Sequence, residues 1–290
     1  MEKAVKMTRE EFAEFNTEMA RLKEIKWRGY AKTLTDIGIS YLGSVAQSTK
    51  MMHSLLLNVS TYCIYLASAD LSGYNVCAYS KYCKDNCLMG SGRNRINRLA
   101  GSNDIDRSRI TKTRLFFANR EVFMHLMCHE IDLEKKRAEL IGNEFSIRIN
   151  ATSDLNPRLF VLNGKNILDI YKDVMIYDYT KVPKHLDLLK QYPNYDITWS
   201  IDGSQDNLKI GLDYMERGGR VAVVFGSETL PKTWRGYKVI DGDLYDFRYK
   251  DGNVVVGLKF KRTAENYVDG HFVMPNTDFI VQENDPNCEW

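Results

Sequence analysis

No stretch of the 290-residue chain is apolar for long enough to span a bilayer, which takes about 20 such residues in a row. The first residues, Met1-Glu-Lys-Ala-Val-Lys-Met-Thr-Arg-Glu-Glu, are charged and lack the apolar stretch of a secretory signal. No membrane association is expected. Charge of one sign is also missing: 40 Lys and Arg against 38 Asp and Glu leave a net +2. That balance excludes a strongly basic nucleic-acid coat protein but leaves room for a local basic patch. There is no internal repeat and no low-complexity tract. P-loop and Ser-His-Asp hydrolase signatures, the His-Glu-x-x-His order, and RNA-recognition, helix-turn-helix and zinc-finger motifs are all absent. Cysteine is scarce, six in all, and is not spread as a disulfide framework. A reducing compartment follows, with the cytoplasm as the expected location.

Half of those cysteines, Cys77, Cys83 and Cys87, fall within eleven positions, with the spacing Cys-x5-Cys-x3-Cys. Three thiolates on one loop can converge on one centre and leave a coordination position open. That is the arrangement of a [4Fe–4S] cluster with one open iron, or of a zinc site completed by a distant residue such as Cys63, Cys128, His125 or His129. Three unrelated cysteines are the remaining alternative. Radical S-adenosylmethionine enzymes use Cys-x3-Cys-x2-Cys, which this spacing does not match, and no glycine-rich segment for S-adenosylmethionine stands out. His125 and His129 share a helix face, a spacing that fits packing as well as ligation.

Apolar periodicity predicts an amphipathic helix over Thr8 to Lys26 and helix again from Arg107 to Leu140, as one long element or two short ones. From Leu55 onward, short apolar strands alternate with helices: Leu55 to Leu66, Phe145 to Asn150, Val174 to Tyr179, Asp196 to Ser200, Arg220 to Phe225 and Val254 to Phe260. This alternation implies parallel βαβ units. The expected fold is α/β, a partial or complete parallel α/β barrel (residues 53–290) with an N-terminal helical extension (residues 1–52). A doubly wound open sheet is the other possibility.

In such barrels the site gathers at the C-terminal ends of the strands. Polar residues follow several strand cores there. Asp154, Asp178 and Lys181 are the candidate catalytic residues. Arg148, Asn150, Ser153, Thr198 and Ser200 are the candidate cofactor contacts, and Cys77, Cys83 and Cys87 the metal ligands. Asp241, Asp243, Lys259 and Lys261 are further candidates for the far side of a shared pocket. Arg93, Arg95, Arg98, Arg107 and Arg109, just beyond the cysteines, form either a solvated helix face or a phosphate-contacting surface for a nucleotide or nucleic acid.

The segments Arg148-Ile-Asn-Ala-Thr-Ser-Asp154, Ile176-Tyr-Asp-Tyr-Thr-Lys181, Arg220-Val-Ala-Val-Val-Phe225, Leu230-Pro-Lys-Thr-Trp-Arg-Gly-Tyr-Lys-Val-Ile-Asp-Gly-Asp243 and Val254-Val-Val-Gly-Leu-Lys259 occur in an order that resembles the phage-encoded gene-product-88-like family. The resemblance runs from about Asn58 to Val273 and takes in the cysteines. It implies a phage or mobile-element origin, action in the host-cell cytoplasm and a cysteine-bound centre, and it supplies no reaction. The expectation is an iron–sulfur enzyme of radical S-adenosylmethionine-like organisation acting on a nucleotide or nucleic-acid base. The alternatives are a zinc-containing, nucleobase-transglycosylase-like enzyme and a metal-stapled protein that binds nucleic acid or a host protein. The oligomeric state is left open.

Overall fold

A computed structural model describes residues 7–263, 266–268, 271–272, 274–275 and 277–290, the side chains of 267, 268, 271 and 272 excepted. The first six residues of the expected N-terminal extension thus lie outside the described part.

Eleven strands form one sheet: β1 (Gly43–Ser44), β2 (Val59–Ile64), β3 (Glu144–Arg148), β4 (Met175–Thr180), β5 (Tyr195–Ser200), β6 (Arg220–Phe225), β7 (Thr233–Trp234), β8 (Tyr237–Asp241), β9 (Val255–Lys259), β10 (Ile280–Val281) and β11 (Cys288–Glu289). Their spatial order is β1-β2-β3-β4-β5-β6-β9-β8-β7-β11, with β10 against β6. From β2 to β8 every neighbouring pair is parallel, and the antiparallel pairs lie at the two ends. The fold is therefore α/β with a large, mostly parallel sheet. Among the described residues the strand path is open, from β1 to β11.

Two features depart from a simple alternation. Strand order follows the chain from β2 to β6 and then reverses, because β9 inserts between β6 and β8. In addition, β6 is flanked on one side by β5 along Arg220–Ala222 and then by β10 along Val224–Phe225.

The helices are α1 (Arg9–Glu24), α2 (Tyr30–Ile37), α3 (Thr49–Leu56), α4 (Gly92–Leu99), α5 (Asp104–Ala118), α6 (Arg120–Leu140), α7 (Ile167–Ile170) and α8 (Gln205–Glu216). Thr8 and Glu11 form a capping box that starts α1. The Arg107–Leu140 prediction resolves as two helices joined at Asn119. Its side chain accepts from Val122 N and donates to the carbonyls of Leu22, Lys23 and Ile25, tying α1 to this joint. Between β4 and β5 the chain forms a 3₁₀ run, Pro183–Lys190, and α2, β1 and α3 lie between α1 and β2. Because β1 pairs with β2, the first 52 residues add a strand to the sheet as well as helices.

One face of the sheet is apolar. Tyr62, Ile64, Ile147, Ile149, Ile176 and Ile197 pack with Leu115, Phe116, Phe123, Leu126 and Met127 of α5 and α6. Trp199, Val221, Val223 and Val255 pack with Leu208, Leu212 and Met215 of α8. Burying one such side chain contributes about 1.5–3 kcal/mol. The other face is polar and is covered by residues 245–249. There Asp246 receives Arg148 Nη1 at 2.8 Å and Tyr177 OH at 2.7 Å, and Phe247 packs on Val59 and Tyr177. Thr61 and Ser146 hydroxyls meet at 2.9 Å, and Arg220 Nε donates to Thr198 Oγ1 at 3.0 Å.

Candidate functional site

The cysteines lie where β2 ends. The chain turns through two 3₁₀ segments, Lys84–Asn86 and Leu88–Gly90, with Cys83 and Cys87 at their N-caps. Cys77 Sγ donates to the Thr152 carbonyl at 3.7 Å and receives Ala69 N–H at 3.5 Å. Cys87 Sγ donates to Ser68 Oγ at 3.2 Å. Burial pushes the Cys77 thiol up to about 12 and raises the Cys83 thiol too; for both, the neighbouring Cys87 adds to the effect and Lys181 opposes it.

Lys181 follows β4 and reaches into this loop, hydrogen-bonding Cys83. Burial works against its charge, yet Cys83, Asp154, Cys77 and Asp202 outweigh it and hold the ammonium above its ordinary value. Arg109 turns the same way: it stacks 5.3 Å over Tyr65, donates to the Met89 carbonyl at 3.4 Å and lies in the field of Cys87. Among the described residues, no group of three or more His, Cys, Asp or Glu is arranged to hold a metal ion.

A strap from the far side of the sheet meets this loop. Beyond β9, Thr263 bridges to Ser91, and Asn266 Nδ2 donates to Asn86 Oδ1 at 3.0 Å.

The predicted carboxylates are held differently. Asp178 is buried on the apolar face, where Asn150 N, Asn150 Nδ2 and Tyr195 OH donate to it at 3.1, 2.9 and 3.1 Å. Burial pushes its carboxyl up to about 6, against the pull of Asn150 and Arg148. Asp154 accepts from Thr180 Oγ1 at 2.6 Å and Lys181 N at 2.8 Å, with His185 Nδ1 3.5 Å away. Ser153 Oγ donates to Asn150 Oδ1 at 2.8 Å. These residues fasten the loop after β3 to β4. Arg148 is buried against Asp246 and 4.7 Å over the Tyr179 ring. Thr198 serves Arg220, and Ser200 gives its carbonyl to Asn207 Nδ2 at 3.0 Å.

Asp243 pairs with Lys50 at 2.9 Å and Lys261 at 3.0 Å, and accepts Lys259 N at 3.2 Å. Asp241 caps Asp243 N at 2.8 Å. His125 stacks on Trp27 and His129 on Tyr30, which explains their spacing as packing. The basic stretch divides. Arg98 pairs with Asp106 at 2.8 Å and Arg107 pairs with Asp104. Arg109 turns inward, Arg95 is partly buried and Arg93 is exposed.

The sequence set Arg109 just beyond the cysteines and Asp202 after a strand; the structure brings Arg109 into the field of Cys87 and Asp202 into that of Cys83. Sequence reasoning missed a cleft of about 240 Å³ at the ends of β6 and β9, lined by Gly226, Ser227, Glu228, Lys259, Phe260, Arg262, Met274 and Glu283. No described helix is long and apolar enough to cross a membrane.

These features define an α/β protein in which α5, α6 and α8 pack on one face of a mostly parallel sheet, α3 lies with residues 243–246 on the other, and the cysteine loop lies at the C-terminal edge of the sheet. The model of the family described as Gene product 88 matches residues 28–269, and the chain belongs to that family. No curated protein and no solved structure matches it.

Proposed function

We propose that the protein is an iron–sulfur enzyme of radical S-adenosylmethionine-like organisation, working in the host-cell cytoplasm on a nucleotide or nucleic-acid base. What supports this reading is a loop after the first parallel strand on which Cys77 and Cys83 lie near the ammonium of Lys181, with Cys87 beside both thiols. We read the singly wound run β2 to β6, with helices on one face, as part of a barrel wall whose C-terminal rim is the reaction end.

The residues fit such a group in donor chemistry. Three cysteines would hold three irons and leave the fourth for a small molecule, as thiolate ligation of iron–sulfur clusters requires. The raised proton affinities of the Cys77 and Cys83 thiols mean that metal loading would release protons. When bound, the centre would supply electrons to S-adenosylmethionine and so radical chemistry. Lys181 would donate a hydrogen bond to the Cys83 sulfur, a contact of the kind that tunes a metal site. Arg109 and Lys181 would attract an anionic substrate to this end of the sheet. Asp154 and Asp178 would position the loop after β3 rather than meet substrate.

The test is anaerobic purification with iron and sulfide analysis and an absorbance band near about 400 nm, the expected signature of thiolate-bound clusters. Iron and sulfide present in the native chain and lost in Cys77→Ser, Cys83→Ser or Cys87→Ser are the expected result. Absent iron with stoichiometric zinc would overturn it in favour of the zinc alternative.

A further inference from the structure

The cleft between the ends of β6 and β9 lies at the point where strand order reverses. The chain leaves β6 and passes β9 to reach β8, and it leaves β9 and passes β6 to reach β10, so the two connections cross at the C-terminal ends of these strands. The cleft lies at those strand ends, among residues of both connections. Its floor is fastened by the backbone. Gly226 N donates to the Val281 carbonyl and Phe260 N to the Phe225 carbonyl, each at 2.9 Å. A side chain at Gly226 would press on Gln282 Oε1 and Ile280 Cγ2, each about 3.0 Å from a Cβ there.

The lining combines both signs of charge with apolar surface. Glu283 accepts from Ser227 Oγ at 2.6 Å, and among the described residues no cation pairs with it. Lys259 lies across from β6 on β9, and its ammonium has no carboxylate partner among the described residues. Arg262 faces Glu228 at 3.8 Å. Among the described residues of the lining, two cations and two carboxylates balance, which matches neither a phosphate nor a polyamine. A ligand carrying one charge of each sign matches the unpaired Lys259 and Glu283, and Phe260 and Met274 offer contact for an apolar body. The volume of about 240 Å³ is sufficient for a molecule of amino-acid size.

We infer that this cleft is a binding site for a zwitterionic α-amino acid, or for the α-amino-acid end of a larger molecule. Lys259 receives the carboxylate, Glu283 receives the ammonium with Ser227 orienting it, and Phe260 meets the side chain. Arg262 immediately precedes Thr263, which bridges to Ser91 in the cysteine loop, so an occupant would lie beside that loop. The inference stands whether or not the cysteines hold iron.

Titration calorimetry of the full chain, as purified, against each of the twenty L-amino acids tests it. The result expected is saturable binding of at least one, below roughly 10 mM, the weak limit for a ligand of this size. Its deaminated acid and its decarboxylated amine should each bind at least about tenfold more weakly. Lys259→Met and Glu283→Gln should each weaken binding by about tenfold or more with an unchanged melting temperature, and Arg107→Gln should bind as the native chain does. No saturation by any amino acid would overturn the inference. So would an acid or amine that binds as tightly as its parent, or folded Lys259 and Glu283 variants with native affinity.

Discussion

Asp178 and Lys181 lie three residues apart at the end of β4, and both are charged residues taken out of water, yet their surroundings differ in kind. Asp178 meets neutral donors whose geometry closes around it, and burial raises its carboxyl's proton affinity. Lys181 meets thiols and carboxylates that keep its charge in spite of burial. A group closed in by hydrogen bonds to its own fold is spent on architecture. A group held charged among thiols is available to a ligand or a metal-bound sulfur. The same contrast separates the Arg148–Asp246 pair, sealed under residues 245–249, from the cysteine loop at the rim.

The largest expected effect tests the architectural side. Asp246→Ala leaves Arg148 buried and uncompensated and should cost about 3–5 kcal/mol in urea unfolding. Arg148→Met combined with Asp246→Leu should recover much of that loss. A loss below about 1 kcal/mol for the single variant, the range of exposed pairs, would show that this pair is not sealed. The Asp246 carboxyl, held below its ordinary range by Arg148 and Lys50 although burial opposes this, contributes stability above the ordinary carboxylate range. That contribution is lost as pH falls through its lowered folded value.

Next is Asp178→Ala, which strands three donors and should cost about 2–3 kcal/mol. The pH dependence runs opposite to that of Asp246. The folded state binds the Asp178 proton more tightly than the unfolded chain, so its contribution falls as pH rises from about 4 to about 6. Asp178→Asn should flatten that part of the stability profile. An unchanged profile would mean that another group titrates there.

Smaller still, Cys83→Ser without metal should change stability by less than about 1 kcal/mol, because its thiol makes only weak bonds, while abolishing iron uptake. A large stability loss with iron retained would move Cys83 to the architectural side of the comparison. Last, Arg107→Gln should leave the unfolding midpoint and any nucleotide affinity unchanged, since its ion pair with Asp104 is open to solvent. A drop in nucleotide affinity would restore the basic stretch as a contact surface.

Much of the parallel sheet was legible because its strands are continuous apolar runs, such as Arg220-Val-Ala-Val-Val-Phe225. The cysteine loop was legible from spacing, and Lys181 from its position after a strand. Residues 245–249, Tyr-Asp-Phe-Arg-Tyr, carry no pattern that marks them as a cover for the sheet. Asp246 and Arg248 are buried through pairing with Arg148, Tyr177 and Asp251, which no local pattern encodes. Asp178 was legible as a strand-end acid, but its orientation depends on Asn150 and Tyr195 from neighbouring strands. The cleft depends on β9 inserting beside β6, so its residues, spread from Gly226 to Glu283, share nothing in sequence that marks them as one site.

The bond from Asn266 to Asn86 joins positions 180 residues apart. At a synthesis rate of about 5–20 residues per second, the cysteine loop leaves the ribosome roughly 10–40 s before the segment that straps it. During that interval three thiols stand on a loop with one side open. Closure of the loop is therefore ordered in time: any reagent that reacts with the thiols has its widest access before the strap arrives.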